Sequence, residues 1–326
     1  MGLLVPGLAL LAGGRPDLII YAVFGAFTGM YGRGEPPRLR VRHQAQGAAV
    51  VVAGVAAGVV LSSQHARPWI LVAATVAFAA IGSLVADRLV LRPEGPFFGI
   101  FALGATATIP AGSVTPLAAV SIGAATAVFA LLVSAAGGAD RRAGADSRAP
   151  ASRPPGALAH AARYALAIAV AGSAGLLLGV EHANWAMAAA AVPLATADAR
   201  GRADRSVDGV LHRAAHRVIG TLTGLVVTAA LLLPHLGSAA LALVVIALLF
   251  PTELFMARHY GLALGFFTPL IMLMTELANP AEPWALVRDR AVDTLIGVAV
   301  GVTVALATRG LGAGQPSSSP SVSSRT

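Results

Sequence analysis

The sequence predicts an all-α membrane protein that crosses a lipid bilayer many times. Hydrophobic residues make up 56% of the chain, charged residues make up 12%, and the mean hydropathy is +0.76. These values lie far outside the range of soluble proteins. Apolar runs of about 20 residues recur along the chain, and a helix of that length crosses a hydrocarbon core of about 30 Å. The lipid bilayer is therefore the first partner that the sequence predicts.

The apolar runs predict about 12 transmembrane helices, or 11 if the short first run does not span. The first six lie near residues 3–13, 17–32, 45–63, 68–87, 96–112 and 115–137. The other six lie near residues 158–180, 183–198, 213–233, 238–257, 260–278 and 290–308. A cleaved signal peptide is not expected, because the first four residues carry no basic side chain.

The chain is predicted to contain two six-helix repeats, at 1–137 and 158–310. A polar, proline-rich cytoplasmic linker at 138–157 separates them, and a low-complexity tail at 311–326 is expected to be disordered. Asp17–Pro36 resembles Asn184–Ala203, and Phe97-Phe98 matches Phe266-Phe267. Because each repeat has an even number of helices, the axis that relates them would run along the membrane normal.

Arginines are concentrated in every second loop of this scheme, for example at 33–42, 88–92 and 200–205. Because cytoplasmic loops carry the excess of basic residues, this pattern predicts a cytoplasmic (inner) membrane protein with both termini in the cytoplasm. The stretch Arg288-Asp289-Arg290 is the exception, since the same scheme places it near the outer surface.

Several classes of function are not expected. The absence of cysteine excludes disulfides, thiolate metal sites and cysteine nucleophiles. The arginines lie in short loops rather than in a basic groove, so nucleic acid is not an expected partner despite the net charge of +8. His212 and His216 lack a third ligand at a fitting spacing, so no metal is predicted. No cofactor motif or catalytic motif occurs, which predicts a non-enzyme; the oligomeric state stays open.

One motif occurs twice and gives the main indication of function. It reads Arg217-Val-Ile-Gly220-Thr221-Leu-Thr-Gly224 and later Arg290-Ala-Val-Asp293-Thr294-Leu-Ile-Gly297, so each arginine lies on roughly one helix face with the Thr and the last Gly. An arginine in a membrane segment is costly unless it faces water, a partner or a substrate. Arginine also suits a bidentate grip on carboxylates. The two motifs therefore predict a cationic path for a small organic anion.

Together with Tyr164 and Trp185, these motifs resemble the fusaric acid resistance (FUSC) and aromatic acid exporter superfamily, an integral membrane bound transporter-like domain. Plant aluminium-activated malate transporters are similar over the same helix pattern. The resemblance covers about residues 158–309, and the first half matches in layout only. It implies export of aromatic or other organic acids, commonly coupled to the proton gradient. The first half departs from the pattern, because its last predicted helix carries no charge.

Each arginine has two interpretations. Arg213 and Arg217 are predicted where the ninth helix leaves the cytoplasm, either lining an anion-attracting vestibule or extending to lipid phosphates. Arg290 either lines the permeation path or forms a structural pair with Asp289 or Asp293.

The small residues of the motifs are expected to support helix packing. Gly220, Gly224, Gly297 and Gly301 recur every four residues, a spacing that lets membrane helices approach closely; lining a narrow pore is the alternative. Thr221 and Thr294 either bond to carbonyls of their own helix or offer hydroxyls to a substrate.

Three further residues complete the candidate set. Glu253 and Asp293 are candidates for proton coupling, although Glu253 could instead pair with Arg258 or His259. Trp185 is interpreted as a residue of the interfacial aromatic belt, with stacking on an aromatic substrate as the alternative.

The sequence therefore predicts a transporter that exports organic anions, aromatic carboxylic acids above all, with coupling to protons as a further expectation. A passive anion channel on the same scaffold and a non-transporting membrane scaffold protein are the alternatives.

Overall fold

The computed structural model describes residues 2–137, 156–179, 183–194, 207–256 and 258–308. These described residues form twelve α-helices and no strand, which confirms the all-α prediction. The helices are α1 (Leu4–Ala12), α2 (Ile19–Ala26), α3 (Pro37–Ser63), α4 (Pro68–Leu89), α5 (Phe97–Ala107), α6 (Pro116–Ala136), α7 (Ala157–Leu177), α8 (Ala183–Ala191), α9 (Val207–Leu232), α10 (Ser238–Met256), α11 (Tyr260–Ala278) and α12 (Pro283–Ala307).

A helix lies at each predicted apolar run, and eight of the described helices are long and apolar enough to cross a membrane. The protein is therefore a multi-pass membrane protein. The count of 12 spans, the orientation and the relation between the halves stay predictions. The predicted tail at 311–326 and all but two residues of the predicted linker at 138–157 lie outside the described residues.

Four helices form the interior of the bundle: α2, α5, α8 and α11. Every residue of α2 and of α8 is buried, and so is every residue at 98–106 of α5 and at 267–275 of α11. Their sequences explain this, because α2 (IIYAVFGA) and α8 (ANWAMAAAA) have no continuous polar face to present to water. A helix that is apolar on all sides is stable only when neighbours surround it.

The longer helices surround this interior and expose apolar side chains on their outer faces. Leu117 is 79% exposed, Val226 70% and Ile81 64%. Such surfaces suit a hydrocarbon environment. Trp69 and Trp284 lie beside the prolines that begin α4 and α12, and both are more than half exposed, as expected of aromatic residues at a membrane–water interface.

The two halves meet through the inner helices and through α4. Helix α4 packs on α7, α5 on α8, and α2 on α11. Phe267 of α11 joins an aromatic cluster with Phe27, Phe97 and Phe101 of the first half, with ring centres 5.6–6.4 Å apart. This packing brings the beginning of α5 close to the arginine-bearing helices of the second half.

Candidate functional site: a buried arginine pair

Arg217 lies inside the bundle. It is ten residues, or about 15 Å, from the first residue of α9. Its side chain is 1% exposed, and its Cζ atom lies 5.6 Å from the centre of the Phe97 ring at the beginning of α5. The guanidinium therefore stacks on an aromatic face from the other half of the chain.

Arg290 is equally buried on the neighbouring helix α12. It lies seven residues, or about 10 Å, from the first residue of that helix, and it is 1% exposed. Its Cζ atom lies 5.2 Å from the centre of the Trp185 ring in α8. Two arginines on adjacent helices thus have the same kind of environment: each is covered on one face by an aromatic ring.

The two guanidinium groups are near enough for their positive charges to repel each other. Among the described residues, none of their nitrogen atoms has a hydrogen-bond partner. Withdrawing an ion from water costs several kcal/mol, whereas a desolvated cation–π contact contributes about 2 kcal/mol. The aromatic contacts therefore do not offset the cost of burying the two charges.

Asp293 is a buried carboxylate close to Arg290. It is fully buried one turn after Arg290, and its negative charge attracts that arginine. Neither carboxylate oxygen has a hydrogen-bond partner in the described part of the chain. Asp293 thus acts on Arg290 through its charge, without a hydrogen bond between the two side chains.

The structure shows that both helices begin earlier than the predicted spans. Helix α9 begins at Val207 and α12 at Pro283, six and seven residues before the predicted starts. The positions of Arg217 and Arg290 relative to the two membrane surfaces stay predictions. Protein covers both of them, which disagrees with the interpretation that Arg217 reaches lipid phosphates.

The expected counterions of Arg290 also differ from prediction. Asp289 hydrogen-bonds to Arg288, from Nε to Oδ1 over 3.2 Å, and Arg288 has a side chain that is 74% exposed. Asp293 lies near Arg290 without a hydrogen bond to it. Among the described residues, no hydrogen bond therefore joins Arg290 to either aspartate.

The two threonines of the motif are not equivalent. The hydroxyl of Thr294 donates to the backbone carbonyl of Arg290 over 2.8 Å, which is the local bond that the sequence allowed. The hydroxyl of Thr221 is buried and has no hydrogen-bond partner among the described residues. Thr221 is thus the threonine whose hydroxyl is available to a bound solute.

The motif glycines lie at close helix crossings. A Cβ atom on Gly220 would lie 2.5 Å from the carbonyl oxygen of Gly261 in α11, and one on Gly224 would lie 2.6 Å from Thr268 Cβ. Gly297 and Gly301 lie in the same way against backbone carbonyls of α8. These contacts hold α9 and α12 against inner helices and so fix the positions of the two arginines.

Trp185 differs from its predicted role. It is 1% exposed and lies beneath Arg290, so it is not a residue of the interfacial belt. Phe97 was not recognised as a site residue from the sequence, where it served only to compare the two halves. No pattern in the sequence around Phe97 indicates this role, because its contact with Arg217 forms only when the two halves of the chain pack together.

Arg213 and Glu253 lie apart from the arginine pair. Arg213, one turn before Arg217, is half-buried and interacts electrostatically with Tyr164 of α7. Glu253 pairs with Arg33 of the first half, from Oε2 to Nη2 over 2.8 Å, rather than with Arg258 or His259. The sequence did not suggest this pairing between the two halves of the chain.

The fold and the site together describe a polytopic, helical membrane protein with a buried cationic centre. Residues 166–304, which contain both arginines, match the family model described as fusaric acid resistance protein-like, so the resemblance inferred from the sequence is confirmed over this region.

One curated protein is similar to part of the chain. It is described as an uncharacterized membrane protein, YvaC, of Bacillus subtilis (strain 168), and it is 29% identical over 147 residues, or 44% of this chain. The chain spans about a fifth of the length of that relative, since the match covers 22% of it. No solved structure matches this chain.

Proposed function

We propose that this protein transports organic anions across the cytoplasmic membrane, with aromatic carboxylates as the substrate class and export as the direction. The observation that carries the proposal is the buried pair Arg217 and Arg290, whose nitrogen donors have no partner among the described residues. The match of residues 166–304 to the fusaric acid resistance protein-like family supports the same assignment.

The geometry of the pair fits a carboxylate. Aromatic rings cover one face of each guanidinium, and the N–H donors in the guanidinium plane remain for a bidentate grip on carboxylate oxygens. Phe97 and Trp185 also provide apolar surface for an aromatic ring of the solute. The hydroxyl of Thr221 adds a further donor beside Arg217.

Burial favours a carrier over an open channel. Both arginines are 1% exposed, so a solute reaches them only after helices move apart. Such alternating access requires the two halves, or two groups of helices, to move against each other. A membrane potential that is negative inside favours outward movement of an anion, by about 2.3 kcal/mol per charge at 100 mV.

The test is flux of labelled benzoate from proteoliposomes with a fixed membrane potential. Arg217→Gln and Arg290→Gln should each reduce the initial rate about 10- to 100-fold, since each leaves the anion with half of its buried charge partners. Arg288→Gln is the matched control, because Arg288 lies on the same helix but has a side chain that is 74% exposed.

The outcomes separate the candidate functions. Equal flux for the wild type and both buried-arginine variants would contradict the proposal. Current that follows voltage without saturating as benzoate rises would indicate the channel, and no flux in any protein would favour the scaffold. Repeating the assay with an imposed pH gradient, in the wild type and in Asp293→Asn and Glu253→Gln, tests the two candidates for proton coupling.

A further inference from the structure

Three buried ionisable side chains lie in and next to the arginine pair. Arg217 and Arg290 contribute two positive charges, and Asp293 contributes one negative charge within the same buried cluster. All three side chains lack hydrogen-bond partners among the described residues. The cluster therefore has a net charge of one positive unit while Asp293 is ionised.

We infer that Asp293 acts as an internal anion that restricts the site to monocarboxylates, and that a dicarboxylate binds only together with a proton taken up by Asp293. This inference rests on the proposed function, because it concerns the substrate of the same site. One carboxylate neutralises the cluster as it stands. A second carboxylate would bring an excess negative charge into a buried environment, where uncompensated charge is costly.

Among the groups around the arginine pair, Asp293 is the one whose protonation would change the net charge of the cluster. On its own helix, Asp289 bonds to the exposed Arg288, so that pair has no net charge as a whole, and the negative charge of Asp289 also acts on Asp293 and favours its uptake of a proton. Helix α9 contributes Arg217, and α8 and α5 contribute the neutral rings of Trp185 and Phe97. Tyr260 of α11 is the other titratable group that acts electrostatically on Arg290.

Binding of a dicarboxylate requires one proton from water and no other reactant. The carboxylate of Asp293 accepts one proton from water and becomes a neutral acid, which raises the net charge of the cluster from one to two positive units. A dianion then neutralises it. Transport of a monocarboxylate would then carry no proton, whereas transport of a dicarboxylate would carry one proton with each dianion.

The decisive probes are terephthalate and its monomethyl ester, which share one ring and differ by one negative charge. Equilibrium binding to the purified protein, measured as a pH series, should favour the monoester by about tenfold or more in the alkaline range where Asp293 is ionised, the effect expected for one additional uncompensated charge at close distance. Asp293→Asn should reverse this preference, because it leaves the two arginines uncompensated at every pH.

Asp289→Asn is the matched control, since it removes a carboxylate one turn away that already has a partner in Arg288. It should keep the preference for the monoester. Proton uptake by the wild type supplies a measurement that does not depend on a variant that must fold. In weakly buffered solution with a pH-sensitive dye, terephthalate should bind with about one proton per anion and the monoester with none.

The results distinguish this inference from the proposed function. If the wild type binds neither probe, both fail. If it binds both probes through Arg217 and Arg290, but with equal affinity and equal proton uptake, only the inference about Asp293 is overturned. An unchanged preference in a folded Asp293→Asn protein would overturn it as well.

Discussion

The two halves of the chain share a packing pattern but differ in charge at the positions that matter most. Helices α3 and α9 bury matching faces when compared at a spacing of 166 residues, which pairs Gly54 with Gly220 and Val51 with Arg217. Helices α6 and α12 match at a spacing of 167, which pairs Gly123 with Arg290.

This comparison separates the role of the arginines from the packing of the helices that carry them. Val51 and Gly123 are the uncharged buried residues that correspond to the two arginines at these spacings, so burial at such a position does not in itself require a guanidinium. Thr126 likewise takes the position of Asp293. The charged cluster of the second half is therefore best explained by a function that the first half does not carry.

The largest expected effect comes from exchanging the side chains of one matched pair. Val51→Arg would bury a guanidinium in a fully enclosed apolar position and should lower the free energy of unfolding by several kcal/mol. Arg217→Leu should do the opposite and raise it by about 1–4 kcal/mol, because it removes a buried charge that has no hydrogen-bond partner in the described part of the chain. Thermal unfolding of the detergent-solubilised proteins measures both.

Arg217→Leu should also abolish anion flux while it stabilises the fold, so stability and activity would change in opposite directions. A loss of stability in Arg217→Leu comparable to that of Val51→Arg would contradict the comparison. It would show that Arg217 holds the helices together.

An intermediate effect is expected from the packing that the halves share. Gly54→Ala and Gly220→Ala each place a Cβ against the carbonyl oxygen of a glycine on an inner helix, Gly99 in α5 and Gly261 in α11. Each should lower the free energy of unfolding by about 1–3 kcal/mol, the usual range for overpacking. Thermal unfolding and gel filtration check the result.

The control for this pair is Gly265→Ala in α11, because an added Cβ at Gly265 meets nothing within 4 Å. That change should be neutral or stabilise the helix by up to about 1 kcal/mol. A strong difference between Gly54→Ala and Gly220→Ala would show that the resemblance between the halves does not extend to their helix crossings.

The positions of the helices could be predicted from the sequence because the bilayer imposes both length and composition on a spanning segment. The predicted spans begin later than α9 and α12 do, since the charged residues Asp208, Arg288 and Asp289 lower the local hydropathy before them. The start of α12 does have a local signal: Glu282 accepts a hydrogen bond from the backbone of Ala285, and Pro283 occupies the first turn.

The candidate site was predictable only in part. The repeated motif identified Arg217 and Arg290, because arginine is rare and expensive in a membrane segment. Their aromatic partners could not be derived in the same way. Phe97 lies in the other half of the chain, and Trp185 is a residue type that membrane proteins also place at the interface. Only the packing of α5 and α8 against the arginine-bearing helices decides these roles.

The smallest expected effect concerns the rings, and it refines the comparison because the first half contributes one of them. Trp185→Leu should weaken benzoate binding about three- to tenfold, and Phe97→Leu about two- to fivefold, since tryptophan gives the stronger cation–π contact. Phe24→Leu is the control, because the ring of Phe24 packs on those of Phe27 and Phe101, while the cation–π contacts of the described residues involve Phe97 and Trp185. Equal losses in all three variants would indicate a general effect on packing. A loss confined to Trp185 and Phe97 would show that the half without buried arginines still takes part in binding the anion, by holding Arg217 in place.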